Sequence, residues 1–171
     1  MQERHEKEQY FFTDETTEWL ADFAARFPNP CCICAPSVGV ELARRRVPVR
    51  ILDIDERFAK TPGFRRYDLF SPDWLGEEFG LILCDPPFFN VSLSQLFAAL
   101  RLLSRNRYEQ PLLISYLSRR ATSIVGTFTR FGLTPTGYYP RYKTVQALAR
   151  NEIEFFGNLP PSVHAELAQG G

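Results

Sequence analysis

The 171-residue sequence lacks the features that mark membrane, secreted and fibrous proteins. It has no run of about 18 apolar residues, so it offers no candidate membrane-spanning helix. Its first ten residues carry charges of both signs without an apolar stretch, unlike a signal or transit peptide. The composition, 44% apolar and 14% aromatic, is ordinary for one globular domain. We therefore expect a cytoplasmic protein without membrane contact.

Metal ligands are also scarce. The two histidines, His5 and His164, lie near opposite ends of the chain. The four cysteines fall in apolar, strand-like runs, at Cys31, Cys32, Cys34 and Cys84. No second cysteine pair stands at zinc-finger spacing. The sequence thus predicts no metal site and four reduced cysteines in or near the core.

The formal net charge is zero, but the two halves of the chain differ. Residues 1–85 carry 11 basic and 16 acidic side chains, whereas residues 86–171 carry 9 basic and 4 acidic ones. Of the 20 basic residues, 17 are arginine, whose planar group suits phosphate. The second half therefore permits a polyanionic partner, and an even spread of surface charge after folding is the alternative.

Strand-like and helix-like segments alternate along the chain, which predicts an α/β fold. We expect a Rossmann-like sheet of seven strands, mostly parallel with a terminal antiparallel hairpin, and helices on both faces. The predicted strands are 31–35, 49–54, 64–67, 81–84, 111–117, 133–142 and 153–156, the last two joined by a loop near Lys143. The predicted helices begin near Asp14, Pro36 and Ser92, and a fourth covers 118–131. Residues 1–8 form a predicted charged leader, 9–158 the domain and 159–171 a loose tail.

The segment Asp85-Pro86-Pro87-Phe88 directly follows the fourth predicted strand. In such sheets, ligands bind beyond the carboxyl ends of the strands. The two prolines fix two φ angles and remove two N–H donors, so the turn is rigid. It presents a carboxylate, a carbonyl and an aromatic ring, which together suit an exocyclic amine on a planar base. The alternative is a rigid turn in which Asp85 only ends a strand.

Two further segments after strands are candidate nucleotide contacts. Asp53 ends the second strand, where an acidic residue typically accepts both ribose hydroxyls, and Asp55 shares its face and is the alternative. Asp68 follows the third strand and suits an adenine amino group, with Leu69 or Phe70 against the ring. A plain turn aspartate is the other interpretation of Asp68.

The loop after the first strand has one glycine, Gly39, instead of a glycine-rich turn. A cofactor without phosphates is therefore favoured. Ser37 can cap the next helix or bind a carboxylate. The aromatic segment 10–12 before the first helix either covers a ligand or fills the core.

Three motifs together resemble amino-group methyltransferases that use S-adenosylmethionine. They are Asp85-Pro86-Pro87-Phe88, Leu52-Asp53-Ile54-Asp55 and Gln9-Tyr10-Phe11-Phe12-Thr13. Ala35-Pro36-Ser37-Val38, Asp55-Glu56-Arg57-Phe58-Ala59 and Tyr67-Asp68 resemble the smaller family of probable N6-adenine methyltransferases. Relatives in that family include a lysine methyltransferase of elongation factor 1A and a zinc-finger methyltransferase of ribosomal RNA adenine. The likeness spans residues 9–160.

The resemblance implies S-adenosylmethionine as the cofactor. It implies that Asp85 and the Pro86 carbonyl hold the target amine, with Pro87 in the same turn and Phe88 stacked on a flipped base. The implied cofactor contacts are Tyr10, Phe12, Thr13, Ala35, Pro36, Ser37, Asp53, Ile54, Asp68 and Leu69. Candidate residues for the acceptor side are Phe89, Tyr139, Tyr142 and Lys143.

Three functional hypotheses follow. The first is an adenine methyltransferase acting on RNA or DNA by direct in-line transfer, which Phe88, the arginine-rich second half and the tyrosines at 138, 139 and 142 favour. The second is a protein lysine or glutamine methyltransferase. The third is a cofactor-binding subunit without activity that pairs with a catalytic or targeting partner.

Overall fold

The computed structural model describes residues 1–145 and 149–170. The strands are β1 Cys31–Ile33, β2 Arg50–Asp53, β3 Phe64–Arg66, β4 Ile82–Cys84, β5 Leu112–Leu117, β6 Thr134–Pro135 and β7 Ile153–Gly157. The α-helices are α1 Asp14–Ala24, α2 Pro36–Arg44, α3 Leu93–Leu103, α4 Ala121–Thr127 and α5 Pro161–Ala168. The strands form one sheet in the order β3-β2-β1-β4-β5-β7-β6. Neighbours among β1 to β5 are parallel, and β7 is antiparallel to β5 and β6, which confirms the predicted architecture.

Local sequence signals determine where the helices begin. The Thr13 side chain accepts the Thr16 N–H at 3.3 Å and caps α1. Ser92 and Gln95 form a capping box at the start of α3, with reciprocal bonds of 3.1 and 2.9 Å. Helix α2 begins at Pro36, where the missing N–H would have had no helical partner in any case.

Each face of the sheet carries its own core, because alternate residues of a strand point to opposite faces. One face buries Cys32, Ile51 and Leu83 beneath α1, α2 and α5. The other buries Cys31 and Leu52 beneath α3 and α4. The predicted helices on both faces are thereby confirmed, and the central strands are apolar throughout because both of their faces are covered.

The predicted helix 118–131 is interrupted. Helix α4 occupies its middle, between the 3₁₀ turns Ser118–Arg120 and Thr129–Phe131. The second turn ends at Gly132, which adopts a left-handed φ of 74°. Apolar spacing alone did not reveal these breaks, because 3₁₀ and α turns bury similar positions.

The predicted strand 133–142 is also shorter than expected, since its regular part is limited to β6. Beyond β6, Thr136 and Tyr138 still form backbone hydrogen bonds with Phe155 of β7, at 3.0 and 2.9 Å. Pro135 and Pro140 cannot donate ladder hydrogen bonds, and Gly137 turns the chain at a φ of 82°. Residues 146–148 of the predicted loop near Lys143, and residue 171, lie outside the described residues.

The C-terminal segment is packed, so the prediction of a loose tail over 159–171 is corrected for residues 159–170. Leu167 of α5 is fully buried, and the Trp19 indole donates to its carbonyl at 2.9 Å. His164 Nε2 accepts the Leu159 N–H at 3.1 Å. Helix α5 begins at Pro161, and proline is well suited to the first turn of a helix.

We expect Leu167→Ala to lower the free energy of unfolding by about 2–4 kcal/mol, because a buried side chain is replaced by a cavity. Urea unfolding measures the change, and Gln169→Ala on the exposed side of the chain end is the control. Equal stability of the two variants would show that α5 lies outside the cooperative core.

Within residues 1–145 and 149–170, no helix is both long and apolar enough to cross a membrane. The same residues contain no group of three metal-ligating side chains. All four cysteines are free, and Cys31, Cys32 and Cys84 are buried, as predicted for core residues.

Candidate active site

The loops that follow β1 to β4, together with residues of the leader, enclose a cavity of about 280 Å³ at the carboxyl edge of the sheet. Parallel strands end at the same edge, so loops distant in the sequence meet there. The predicted site residues that line this cavity are Tyr10, Pro36, Asp53, Ile54, Asp68, Leu69, Asp85, Pro86, Pro87, Phe88 and Tyr142. The structure thus brings the candidate amine-holding turn and the candidate nucleotide contacts into one space.

Asp85 is held by two hydroxyl groups. Ser115 Oγ and Tyr142 Oη both donate to Asp85 Oδ1, at 2.5 and 2.6 Å. Burial raises the pKa of Asp85 to about 7, because desolvation outweighs the stabilisation of the carboxylate by these two hydrogen bonds. Burial, followed by the neighbouring Asp85 carboxylate, raises the pKa of Tyr142 well above its usual value, so Tyr142 remains a donor. Asp85 is therefore fixed in orientation and able to bind or release a proton near neutral pH.

Phe88 forms one wall of the cavity. Its ring packs edge-on against the ring of Tyr116, with centroids 5.7 Å apart and planes at 88°. The backbone N–H of Phe88 donates to the Glu8 carboxylate at 3.0 Å. The ring is thus held both from its side chain and from its backbone.

Asp53 and Asp55 have different roles. Asp55 accepts from the Arg57 guanidinium at 2.7 and 3.0 Å and from Gln9 Nε2 at 2.8 Å. Burial raises the pKa of Asp55, but the hydrogen bonds from Arg57 and Gln9 outweigh it and hold the pKa far below the usual range. The Asp53 side chain accepts the Asp55 N–H at 2.8 Å. Burial raises the pKa of Asp53 to about 6. Because Asp55 is committed to protein partners, Asp53 is the carboxylate better placed for a ligand.

The loop after β3 combines both interpretations of Asp68. One Asp68 oxygen accepts the Phe70 N–H at 2.9 Å, as in an ordinary aspartate turn, while the residue also lines the cavity. Leu69 is buried beside it, and Phe70 is 60% exposed at the mouth. This loop offers a polar group and apolar surface to a planar ring.

Cys34 makes the turn for which related sheets use glycine. It lines the cavity at the end of β1 with a left-handed φ of 57°, and its N–H donates to the Leu52 carbonyl at 2.9 Å. A non-glycine residue in this region costs about 1 kcal/mol. The left-handed turn after β1 therefore forms at a cysteine, in a loop that lacks the usual glycines.

Four predicted cofactor residues lie outside this cavity. Phe12 is in the core, where residues 11–13 pair with 141–143. Thr13 caps α1, and Ala35 is buried at the start of α2. Among the described residues Ser37 has no hydrogen-bond partner for its side chain, and it lines a second cavity. Phe12 and Thr13 lie away from the cavity because residues 11–13 pair with 141–143, which the sequence did not predict.

The acceptor-side candidates are also separated. Lys143 Nζ lies 3.4 Å from an Asp14 carboxylate and lines the second cavity. Tyr139 is 44% exposed and away from the first cavity, and nearby Glu154 raises its pKa. Phe89 is 66% exposed, directly after Phe88 at the mouth. Only Tyr142 contacts Asp85, by the hydrogen bond described above.

The sequence did not indicate three side chains that shape the site, those of Glu8, Gln9 and Ser115. Glu8 accepts N–H groups from the turn after β4, and Gln9 joins the leader to Asp55. Ser115 lies in a continuous apolar run, where its polarity was the only available signal. The leader carries no local pattern that reveals such long-range contacts.

The cavity fits a cationic, phosphate-free cofactor. Two of its carboxylates, Asp53 and Asp85, have pKa values raised by burial, so a positive charge nearby would stabilise them. The tight turn at Cys34 offers no glycine-rich cradle for a pyrophosphate.

The sequence model of the family described as "Probable N6-adenine methyltransferase" matches residues 3–160. No curated protein matches the chain.

Several solved methyltransferase structures share this fold. A TehB-like S-adenosylmethionine-dependent methyltransferase from Corynebacterium glutamicum is 16% identical, with a TM-score of 0.56 over 85% of this chain and 88% of that chain. Magnesium protoporphyrin IX methyltransferase from Synechocystis, with S-adenosylmethionine bound, is 16% identical, with a TM-score of 0.54 over 83% and 74%. The E. cuniculi Mtq2–Trm112 complex is 13% identical, with a TM-score of 0.54 over 87% and 97%. At these identities the likeness establishes the fold.

Proposed function

The chain belongs to the probable N6-adenine methyltransferase family, and from this premise we propose that it methylates the N6 amino group of adenine in RNA or DNA. It is a methyltransferase with a Rossmann-like sheet, and S-adenosylmethionine is its methyl donor. The observation that carries the proposal is the turn from Asp85 to Phe88, which sets two hydrogen-bond acceptors beside an aromatic ring in the cavity.

The proposed roles follow from the contacts of each group. When bound, the cofactor supplies a methyl group on a positively charged sulfur. Asp85 and the Pro86 carbonyl accept the two hydrogens of the amine, which leaves its lone pair free to react. Phe88 stacks on the base. Asp85, whose pKa of about 7 is set chiefly by burial, takes up the proton that the amine loses.

The surface around the site favours a polynucleotide acceptor. Arg119 and Arg120 follow β5, which ends at the same edge of the sheet as Asp85. Among residues 1–145 and 149–170, neither arginine forms an ion pair. The Arg120 guanidinium lies 5.2 Å from the ring centroid of Tyr116, the ring that supports Phe88. Two arginines without an ion-pair partner at the edge of the sheet where Asp85 lies suit the phosphates of a polynucleotide.

The acceptor is tested with labelled S-adenosylmethionine and a cell extract. We expect label that is released by nuclease and resists protease. Adenine as the labelled base is then identified by nucleoside analysis. Label that protease alone removes would contradict the nucleic-acid proposal.

We expect Arg120→Ala to weaken binding to a single-stranded oligonucleotide and to lower the slope of log affinity against log salt by about one, because one phosphate contact is lost. Arg130→Ala is the matched control. Its guanidinium also lies over a tyrosine, Tyr108, at 4.1 Å, but near the amino end of β5. If the two variants have equal slopes of log affinity against log salt, the nucleic acid does not contact Arg120.

A protein lysine acceptor is the second candidate, and the acidic cavity favours it. Asp53, Asp68 and Asp85 all face the space that an amine would enter, which suits a cation. The E. cuniculi complex that shares this fold methylates a translation termination factor and contains a second subunit. A partner subunit that recognises the target is compatible with either acceptor, RNA or protein. Purification of the tagged chain from its native source tests whether such a subunit is bound.

A further inference from the structure

The Glu8 carboxylate lies against the turn that follows Asp85. It accepts the N–H groups of Phe88 at 3.0 Å, Phe89 at 3.1 Å and Asn90 at 2.5 Å. Three consecutive backbone donors thus converge on one side chain that is about 80 residues away in the sequence. Within the described ranges 1–145 and 149–170, Glu8 forms no ion pair, so these N–H groups are what stabilises its charge.

The prolines explain why such a partner is needed. Pro86 and Pro87 have no N–H, so the first donors after Asp85 are those of Phe88 to Asn90. They precede α3 and have no acceptor in its helical ladder. A backbone donor that is left without a partner costs free energy when water is excluded. A carboxylate that accepts all three fixes the direction in which the chain leaves the turn.

Glu8 itself is held in an unusual conformation. Its φ is 53°, in the left-handed region, at the end of the 3₁₀ turn His5–Lys7, and its N–H donates to the His5 carbonyl at 3.0 Å. On the far side, Gln9 is bonded to Asp55. The contacts on both sides determine where the Glu8 carboxylate lies, since a residue persists in this region only when its surroundings impose it.

We infer that Glu8 is a positioning residue for the acceptor. It holds the backbone from Phe88 to Asn90, and so the Phe88 ring and the Pro86 carbonyl, in the arrangement that the amine requires. This inference rests on the proposed function of the turn. Glu8 also lines the cavity, but its carboxylate is bonded to three N–H groups of the turn, so we expect its loss to affect transfer more than cofactor binding.

The test uses the full chain with Glu8→Ala and Glu8→Gln. We expect Glu8→Ala to speed hydrogen exchange of the Phe88, Phe89 and Asn90 amides at least tenfold and to lower kcat/KM for the RNA fraction of a cell extract about tenfold. Cofactor Kd, measured by calorimetry, changes less than threefold. Glu8→Gln gives intermediate values, because its amide oxygen still accepts hydrogen bonds but carries no charge. Glu15→Ala, an exposed acidic residue nearby, leaves all three quantities unchanged.

Two results overturn the inference. The first is unchanged amide exchange in Glu8→Ala. The second is an equal loss of cofactor binding and transfer, since Glu8 would then only cover the cofactor. If Glu8→Ala does not fold, Glu8→Gln decides by the same measurements. Amide exchange can be measured without a methyl-accepting substrate, so it tests the role of Glu8 independently of the proposed function. If the wild-type chain methylates no RNA, that result counts against the proposed function alone.

Discussion

Asp85→Ala is expected to reduce methyl transfer by about 10²–10³-fold, because the principal acceptor of the target amine is lost where charge develops. Cofactor affinity is expected to remain within about threefold of the wild type, since Asp53 and the other cofactor contacts are unchanged. Calorimetry with S-adenosylmethionine and a labelled-transfer assay measure the two quantities separately. Normal transfer together with lost cofactor binding would overturn the assignment of Asp85. Asp73→Ala, which removes an exposed aspartate outside the cavity, is the control.

Asp85→Asn separates folding from chemistry. The amide oxygen still accepts from Ser115 and Tyr142, so neither hydroxyl loses its partner. The pKa of Asp85, raised by burial to about 7, means that the folded state binds the proton more tightly than the unfolded chain does. Its contribution to stability is therefore complete below about pH 4 and is lost as pH rises through 7. At pH 8 we expect the asparagine variant to be about 1–2 kcal/mol more stable than wild type. This is less than the full shift implies, because Asp85 lines an open cavity and is only partly buried.

The same variant distinguishes the two acceptors. A neutral adenine amine can react before it loses a proton. It can donate to the amide oxygen of asparagine and, once methylated, release its proton to solvent in place of Asp85, so part of the transfer to RNA is expected to survive. A lysine ammonium must lose a proton first, and asparagine cannot accept it. Complete loss of transfer in Asp85→Asn would favour the lysine acceptor.

Asp53→Ala is expected to weaken S-adenosylmethionine binding by about 10–100-fold, because a carboxylate that accepts two ribose hydroxyls contributes about 1.5–3 kcal/mol. Asp55→Asn is the comparison, since Asp55 is bonded to Arg57 and Gln9. We expect it to loosen the leader while costing less cofactor affinity. A larger loss of affinity in Asp55→Asn would assign the ribose to Asp55.

Cofactor binding is also expected to depend on pH. Burial raises the pKa of Asp53 to about 6, and the protonated acid is a poor acceptor for two hydroxyls. Affinity should therefore fall by up to tenfold per pH unit below about pH 6. Asp85 also faces the cavity and titrates near 7, so the Asp53→Asn profile must be subtracted from that of the wild type. If the pH profiles of the wild type and Asp53→Asn are parallel, Asp53 does not bind the cofactor.

Much of the candidate site was predictable because its residues directly follow strands. Asp53, Asp68 and Asp85 lie at or just beyond the ends of predicted strands, and the edge rule for parallel sheets brings such positions together. The cofactor contacts predicted from the aromatic segment fared differently. Phe12 and Thr13 belong to the core and to a helix cap, because their neighbours pair with residues 141–143. No short-range pattern contains that pairing.

The sequence by itself determined the fold class, most helix starts and the rigid turn proposed to hold the amine, since alternation, capping residues and proline pairs act over a few residues. It left Asp53 and Asp55 as two alternative ligands of the ribose. The tertiary structure decided what depends on distant partners. Asp55 is committed to Arg57 and Gln9, Asp85 to Ser115 and Tyr142, and the leader to the turn after β4 through Glu8. Hydrogen bonds between segments far apart in the chain leave no local periodicity, so only the folded chain reveals them.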